Sequence, residues 1–386
     1  MRLLRPIILL GILGFWFGIA KAQVPSTRPL KIAVFASVYL DSVFADGNYK
    51  PGNGNLPRYV VPGLDFYNGV MMAIDSLNKE QQSITVQFYD TKSAATPLLN
   101  ILQSEEMQDV SLLIGAFTTR ADTKMVADFA LEKNIPLISS TYPNDAGITA
   151  NPFFVLINPT LRTHIEAIYR FLHRNYPTDN ITYFKKRGET EDAIQYIVYD
   201  LNKKTAGVPL KINTVELNDN FIETDVTEKL DSTRQNIIIC GSLNEQFGSS
   251  LTRALASVKS YRTVTIGMPT WDNIRDISKD IDIVYTTPYN FLKNEKLNAD
   301  LTAKYRAKFA GRPNDMFFKG YESMFHFSKL LVKNGITLIN TLSDKDFKLF
   351  NDFDIQAVRS ESETNYLENK KIYFIRKVDG QVKSIN

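Results

Sequence analysis

From Lys31 the chain alternates short apolar runs with longer stretches in which apolar residues return every three or four positions. Residues 31–36 read as a buried strand, and residues 64–80 then set Tyr67, Val70, Met71, Ile74 and Leu77 on one face of an amphipathic helix. Residues 84–89 alternate with period two. A helix around 97–107, a strand at 110–116, a helix ending near Asn134 and a strand at 135–139 follow. Strand, helix, strand, helix in this cadence predicts a doubly wound parallel sheet.

The cadence resumes after Asn158. Helices are expected at 163–174, 191–203 and 246–258, with a short one near Val226, and strands at 181–186, 210–217, 236–240, 264–268 and 281–285. Thr286-Thr287-Pro288 reads as a crossing point, after which helices at 297–309 and 317–334 come without a strand between them. The chain closes on strand-like 355–358 and 371–378. The class is therefore α/β, with two doubly wound lobes. One stretch breaks the rhythm: FADGNYKPGNGNLPRYVVP, residues 44–62, separates the first strand from its helix with no periodicity. Long strand-to-helix loops of this kind are either surface insertions or functional lids and partner contacts.

The first residues stand apart. Arg2 and Arg5 precede an uncharged run from Pro6 to Ala20, followed by Ala20-Lys21-Ala22, which reads as a secretory signal over residues 1–22 and a chain starting at Gln23. Its apolar run is shorter than the ~20 residues of a spanning helix, so stable membrane insertion after cleavage is not expected and the periplasm is the expected location. Removing these residues takes Arg2, Arg5 and Lys21 from the 45 basic residues and none of the 42 acidic ones, leaving the two in balance. No basic footprint remains for nucleic acid. The one cysteine, Cys240, ends an apolar run and reads as a small core residue. Without disulfides, a chain of this length relies on its cores and is expected to build two domains.

Candidate chemistry sits at the ends of the predicted strands. In an open parallel sheet the ligand crevice lies beyond the carboxyl ends of the strands, where helix N-termini present unpaired N–H groups. Two neighbouring strands run from apolar residues straight into hydroxyls: Gly115-Ala116-Phe117-Thr118-Thr119 and Ser139-Ser140-Thr141. Thr118 or Thr119 can cap the helix that follows, with Asp122 completing a capping-box-like spacing. The same groups can hold a carboxylate or other anion. Trp271 can stack on the apolar part of a ligand or pack within its own lobe.

The stretches KIAVFASVYLDSVF, GLDFYNGVMMAIDSLNKE, ITVQFYDTKSA, LLIGAFTTR and IPLISSTYPN, taken in order, resemble the first lobe of the type I periplasmic binding proteins, in particular the branched-chain amino-acid-binding branch of the extracellular ligand-binding receptors. The resemblance continues through ITYFKKRGETEDAIQYI, NIIICGSLNEQFGSSLTRAL and TVTIGMPTWDN. It implies two parallel-sheet lobes joined by a three-segment hinge: residues 23–156 plus 289–338 in lobe one, and 157–288 plus 339–386 in lobe two. It places Tyr39, Thr118, Thr119, Ser139, Ser140 and Thr141 on the ligand from lobe one, and Ser242, Thr270, Trp271 and Asp272 from lobe two. Members that bind amino acids carry an acidic residue just after a Gly-Pro at a strand end; here the stretch is Gly267-Met268-Pro269-Thr270-Trp271-Asp272, so Thr270 takes that position and Asp272 lies two residues on.

Catalytic patterns are missing. His164 and His173 lie nine residues apart on one helical segment, and no metal-binding, nucleophile-elbow or phosphate-loop motif occurs. The glycines of PGNGN lack the strand-turn-helix setting of a dinucleotide fingerprint. No enzymatic activity, cofactor or metal is expected. The expected function is solute capture: the exported chain closes on a small polar ligand, an amino acid or related compound, and delivers it to an ABC-type permease. The alternative is a cell-envelope sensor or scaffold of the same fold that binds a protein or cell-wall partner through a degenerate cleft.

Overall fold

A computed structural model describes residues 29–45, 47–50, 55–274, 277–290 and 294–385, so the expected signal at 1–22 lies outside the described residues. In chain order the elements are β1 (Leu30–Ala36), α1 (Leu40–Val43), β2 (Phe44–Ala45), β3 (Asn48–Tyr49), α2 (Val61–Lys79), β4 (Ile84–Asp90), α3 (Leu98–Leu102), β5 (Val110–Ala116), α4 (Arg120–Lys133), β6 (Leu137–Ser139) and β7 (Phe154–Leu156). Next come α5 (Leu161–Asn175), β8 (Asn180–Lys185), α6 (Glu189–Lys204), β9 (Lys211–Glu216), α7 (Glu223–Thr227), β10 (Gln235–Cys240), α8 (Glu245–Ser257), β11 (Arg262–Ile266) and β12 (Asp282–Thr287). The chain ends with α9 (Glu295–Phe309), α10 (Asp315–Asn334), β13 (Ile355–Ser360), β14 (Glu363–Asn369), β15 (Tyr373–Val378) and β16 (Gln381–Ile385).

Two seven-stranded sheets organise these elements, in the orders β13-β14-β7-β6-β5-β1-β4 and β16-β15-β12-β11-β10-β8-β9. The inner strands pair in parallel, and each sheet gains an antiparallel border late in the chain, β13 on β14 in the first and β15–β16 against β12 in the second. The chain passes between lobes after β7, after β12 and after β14. This corrects one boundary of the sequence reading: residues 355–369 belong to the first sheet, where β14 pairs with β7, and the second lobe regains the chain only at β15.

The period-two reading of the strands explains why both sheet faces are covered. In β1, Ile32, Val34 and Ala36 join the core under α2 and α10, while Ala33 and Phe35 face the core under α3 and α4. Helices α2 and α10 pack backbone to backbone. A methyl group on Gly69 would stand 2.0 Å from the Phe317 carbonyl oxygen, and one on Gly320 would stand 2.3 Å from that of Phe66, so the two backbones meet at a pair of glycines. The second lobe repeats the sandwich, with α5 and α6 on one face, and α7, α8 and a short 3-10 turn at Pro269–Asn273 on the other.

The irregular stretch after β1 holds some structure: β2 and β3 make a small hairpin, and α2 starts at Val61, ahead of the expected helix. Tyr59 stacks edge-on against Tyr39, with ring centroids 5.3 Å apart, and its hydroxyl donates to Ser42 at 3.0 Å.

Candidate functional site

The strand tips of lobe one meet through their side chains. Asp90, at the end of β4, accepts from the Val38 and Leu40 backbone N–H groups at 2.9 and 2.8 Å, which turns the chain sharply after β1. Tyr39 sits in this turn in the left-handed conformation, φ 61°, and its carbonyl accepts from the Ser42 N–H and hydroxyl. Ser37 then links two neighbouring tips, 2.9 Å from the Thr91 hydroxyl and 3.0 Å from that of Thr118. Thr119 caps α4, accepting from the Asp122 N–H at 3.2 Å, while Asp122 pairs with Lys92 at 2.6 Å. Arg120 is engaged at home, donating to the Ala146 carbonyl at 2.8 Å.

The structure buries much of the rest of the expected wall. Ser139 and Ser140 are fully buried, and Ser140 meets the hinge through its backbone, its carbonyl accepting from the Tyr289 hydroxyl at 2.6 Å. The Thr141 hydroxyl donates to the Phe117 carbonyl at 3.3 Å, and its own carbonyl accepts from the Asn158 side chain at 2.6 Å. On lobe two, Ser242 is buried and donates to Glu191 at 2.5 Å. Trp271 is 0 % exposed, packed among Phe184, Phe247 and Leu251. Its ring lies where a Cβ on Gly267 would come within 2.1 Å, so the flat indole fits only because the strand end carries a glycine. Ser139, Ser140, Ser242 and Trp271 are thus corrections to the sequence reading: burial encloses all four, an internal hydrogen bond holds the Ser242 hydroxyl, and the hydroxyls of Ser139 and Ser140 and the Trp271 indole N–H are buried without a hydrogen-bond partner among the described residues.

Open space lies instead beside the crossing segments. A cleft of about 890 Å³ is lined from lobe one by Tyr142–Asn144, Asp315 and Lys319, from the crossings by Asn158, Pro159 and Thr287–Asn290, and from lobe two by His164, Leu243, Pro269, Thr270, Asp272, Asn273 and Tyr285. Its size is that of a pocket for a small molecule, and its wall mixes tyrosine and proline with a few charged groups. Of the residues expected at the site, Thr270 and Asp272 line this cleft, and the Thr270 hydroxyl has no hydrogen-bond partner among the described residues. Thr118, Thr119 and Tyr39 lie outside its lining.

The charges of the cleft come from both lobes. Asp272 accepts from the Tyr285 hydroxyl at 3.0 Å through Oδ1, which fixes its direction. Lys319, one turn into α10 from Asp315, rests its ammonium 4.2 Å from the centre of the Tyr289 ring. Burial lowers the pKa of Lys319, opposed by the charges of Asp315 and Asp272. Burial likewise raises that of Asp315, opposed by Lys319 and reinforced by Asp272. His164 bonds to the Thr286 hydroxyl at 2.9 Å through Nδ1, and burial pushes its pKa down to about 3, so it enters the cleft as a neutral ring.

Below the cleft, α10 also holds the hinge. Glu322, fully enclosed, accepts from the Phe350 and Asn351 backbone N–H groups at 2.9 and 2.8 Å and from the Asn351 side chain. Asn351 in turn accepts from the Asn290 N–H at 2.6 Å, tying α10 to the segment that returns from β12. A second carboxylate, Glu368 of β14, accepts from the Thr160 N–H and hydroxyl and from the Thr163 hydroxyl, and pairs with Lys370 at 2.5 Å. Sequence reading missed Lys319 and Asp315 because two charges four residues apart on a helix ordinarily face water. Their partner Tyr289 lies just beyond the recognised crossing point Thr286-Thr287-Pro288, which was the available signal.

No family model matches this chain, and no curated protein does. Solved structures match over nearly its whole length. A protein from Rhodospirillum rubrum assigned to branched-chain amino-acid ABC transport is 11% identical with a TM-score of 0.66, covering 92% of this chain and 99% of its own. A branched-chain amino-acid ABC transporter periplasmic ligand-binding protein from Burkholderia xenovorans is 11% identical with a TM-score of 0.59, covering 92% and 94%. An ABC transporter substrate-binding protein from Desulfitobacterium hafniense, in complex with Leu, is 12% identical with a TM-score of 0.54, covering 92% and 99%. The fold is that of the type I periplasmic binding proteins, as the order of the sequence motifs implied. Among the described residues no helix is long and apolar enough to cross a membrane.

Proposed function

We propose that this chain is an exported solute-binding protein that captures a small polar ligand between its lobes by hinge closure and presents the closed form to an ABC-type permease. The observation that carries this reading is the cleft itself: it lies at two of the three crossings, after β7 and after β12, and both lobes contribute polar groups to it. A ligand touching both walls stabilises the closed arrangement by its differential affinity for that state. The solved neighbours support the reading by their assignment to amino-acid transport, and an amino acid or related compound is the proposed ligand. Export rests on the signal-like residues 1–22, and the exported chain is expected to begin at Gln23 by N-terminal sequencing.

The test is a melting-temperature panel of amino acids, short peptides, nucleobases and cell-wall fragments, followed by small-angle scattering on each hit. A ligand at a hundredfold excess over its Kd stabilises the fold by about 2.7 kcal/mol, which is readily seen. The genuine ligand also lowers the radius of gyration. A panel without hits, or hits that leave the radius unchanged, removes the capture reading.

A further inference from the structure

The third crossing, after β14, borders a second pocket of about 420 Å³ that shares no lining residue with the cleft. Arg170, Phe171 and Arg174 line it from α5 of lobe two, Lys370, Lys371 and Ile372 from the segment between β14 and β15, Phe374 from β15, and Asp354 from the stretch ahead of β13. Part of its wall is stiff, because the Phe171 ring stacks on that of Phe374 with centroids 4.9 Å apart and an interplanar angle of 24°. Its charge is one-sided. Lys370 is committed, donating to Glu368 at 2.5 Å and to the Thr163 hydroxyl at 2.8 Å. Among the described residues Arg170 and Arg174 make no ion pair and no hydrogen bond, and Lys371 makes no ion pair, its ammonium lying 5.2 Å from the centre of the Tyr373 ring. Neighbouring carboxylates leave these three uncompensated. Glu166, one turn before Arg170, pairs with Arg162 at 3.8 Å, Glu368 is taken by Lys370, and Asp354, which accepts from the Gln356 side chain at 2.9 Å, forms no ion pair among the described residues. Three unpaired cations therefore meet one carboxylate around a single concavity.

Like charges one turn apart on a helix repel. The dipole of α5 offsets this for Arg174, in its last turn, but Arg170 lies a turn further back. We infer that this pocket is a second binding site, separate from the solute cleft, and that its ligand is a phosphomonoester. The excess of two positive charges calls for a dianion. A phosphomonoester carries about −1.5 to −2 near pH 7, whereas a lone carboxylate supplies one charge. Guanidinium groups present paired N–H donors that match phosphate oxygens, and Lys371 adds a point charge from the crossing segment. The phosphate group alone fills only part of the space, so the organic part of the ester rests on Phe374 and Ile372. A soluble ester and a phospholipid headgroup both present this chemistry.

The experiment is isothermal titration of the purified protein, in low-salt buffer, with glycerol phosphate and phenyl phosphate and with succinate at matched ionic strength. Sedimentation with phosphatidylcholine vesicles, with and without phosphatidate, runs alongside. At least one ester or the phosphatidate vesicle is expected to bind, with succinate about tenfold weaker than a binding ester. Arg170→Gln and Arg174→Gln should each weaken that binding about tenfold, as for loss of one charge-assisted contact, while Lys79→Gln, in the last turn of α2, should leave it unchanged. Melting curves report whether each variant folds, and Arg170→Lys, which keeps the charge, should retain more affinity than Arg170→Gln. Ester binding without phosphatidate-dependent sedimentation supports the site with a soluble ligand; phosphatidate-dependent sedimentation that the arginine variants lose supports it with a lipid headgroup. The inference is overturned if neither esters nor phosphatidate bind, if folded Arg170→Gln and Arg174→Gln proteins bind as the native one does, or if succinate binds as tightly as the esters. None of these substitutions alters the cleft, so solute capture stands or falls on its own panel.

Discussion

Replacing Gly320 by alanine tests whether the glycine pair between α2 and α10 sets the position of the helix that carries Lys319. The added methyl would stand 2.3 Å from the Phe66 carbonyl oxygen, with further Phe66 backbone atoms at 3.1 and 3.2 Å. Ordinary contact begins about a full ångström further out, and the obstacle is backbone, so the helices must part. Alanine gains up to ~1 kcal/mol over glycine in a helix, whereas overpacking a filled core costs typically ~1–3 kcal/mol and more when backbone must move. The net expectation is destabilisation by about 2 kcal/mol, a fall in melting temperature of roughly 4–8 °C for a lobe of this size. Gly311→Ala is the control, because its methyl would meet nothing nearer than 3.7 Å. Urea unfolding and calorimetry measure both, and ligand titration should show weaker binding in Gly320→Ala at temperatures where it is still folded, since Lys319 moves with α10. A Gly320→Ala protein as stable as the native one, binding equally well, would refute the reasoning.

Other outcomes follow from the same contacts. His164 and His326 are buried with pKa values lowered to about 3 and about 4, below the ordinary 6.5, so the unfolded chain takes up their protons first; their contribution to stability is complete above about 6.5 and is lost as pH falls towards those values. Burial raises the Glu322 and Asp65 carboxyls, which act in the opposite sense, so the quantity to measure is the difference between native protein and His326→Phe in urea unfolding: it should favour the variant increasingly, by up to ~1.4 kcal/mol per pH unit between about 6.5 and about 4, and a pH-independent difference rejects it. Glu368→Ala leaves Lys370 and the donors of Thr160 and Thr163 without their acceptor and should cost about 3–5 kcal/mol in denaturant unfolding; a loss under ~1 kcal/mol would show that water replaces it. Once residues 1–22 are removed, Trp271 is the sole tryptophan, and its full burial predicts blue-shifted emission, poor acrylamide quenching and no spectral change with a ligand that raises the melting temperature; strong quenching would place the indole in solvent.

The parallel cores were legible because their strands are covered on both faces and therefore read as unbroken apolar runs, as at Ile237–Cys240. The borders were not: β14 carries Glu363, Asn365, Glu368 and Asn369, so no apolar run marks it, and β7 is three residues long. That is why residues 355–369 were assigned to the wrong lobe. At the site, hydroxyl-rich strand ends were visible, but their partners were not, since the Ser37–Thr118 bond spans 81 positions and nothing local distinguishes a hydroxyl held internally from one left open. Trp271 illustrates the same limit, its fate being decided by the space above Gly267. Lys319 was hidden because its place in the cleft wall depends on Tyr289, which a distant segment of the chain supplies.

The late antiparallel borders have a consequence for the order in which the molecule can be assembled. The five parallel strands of the second lobe lie within one continuous stretch, from Asn180 to Thr287, whereas the first lobe needs α10 from the far end of the chain to cover β1 and β5. During synthesis the amino-terminal third therefore has this sheet face covered by α2 alone until some two hundred further residues have emerged, and closing so wide a loop is slow. A polypeptide built this way completes its first lobe last, although that lobe's strands are the first to be made.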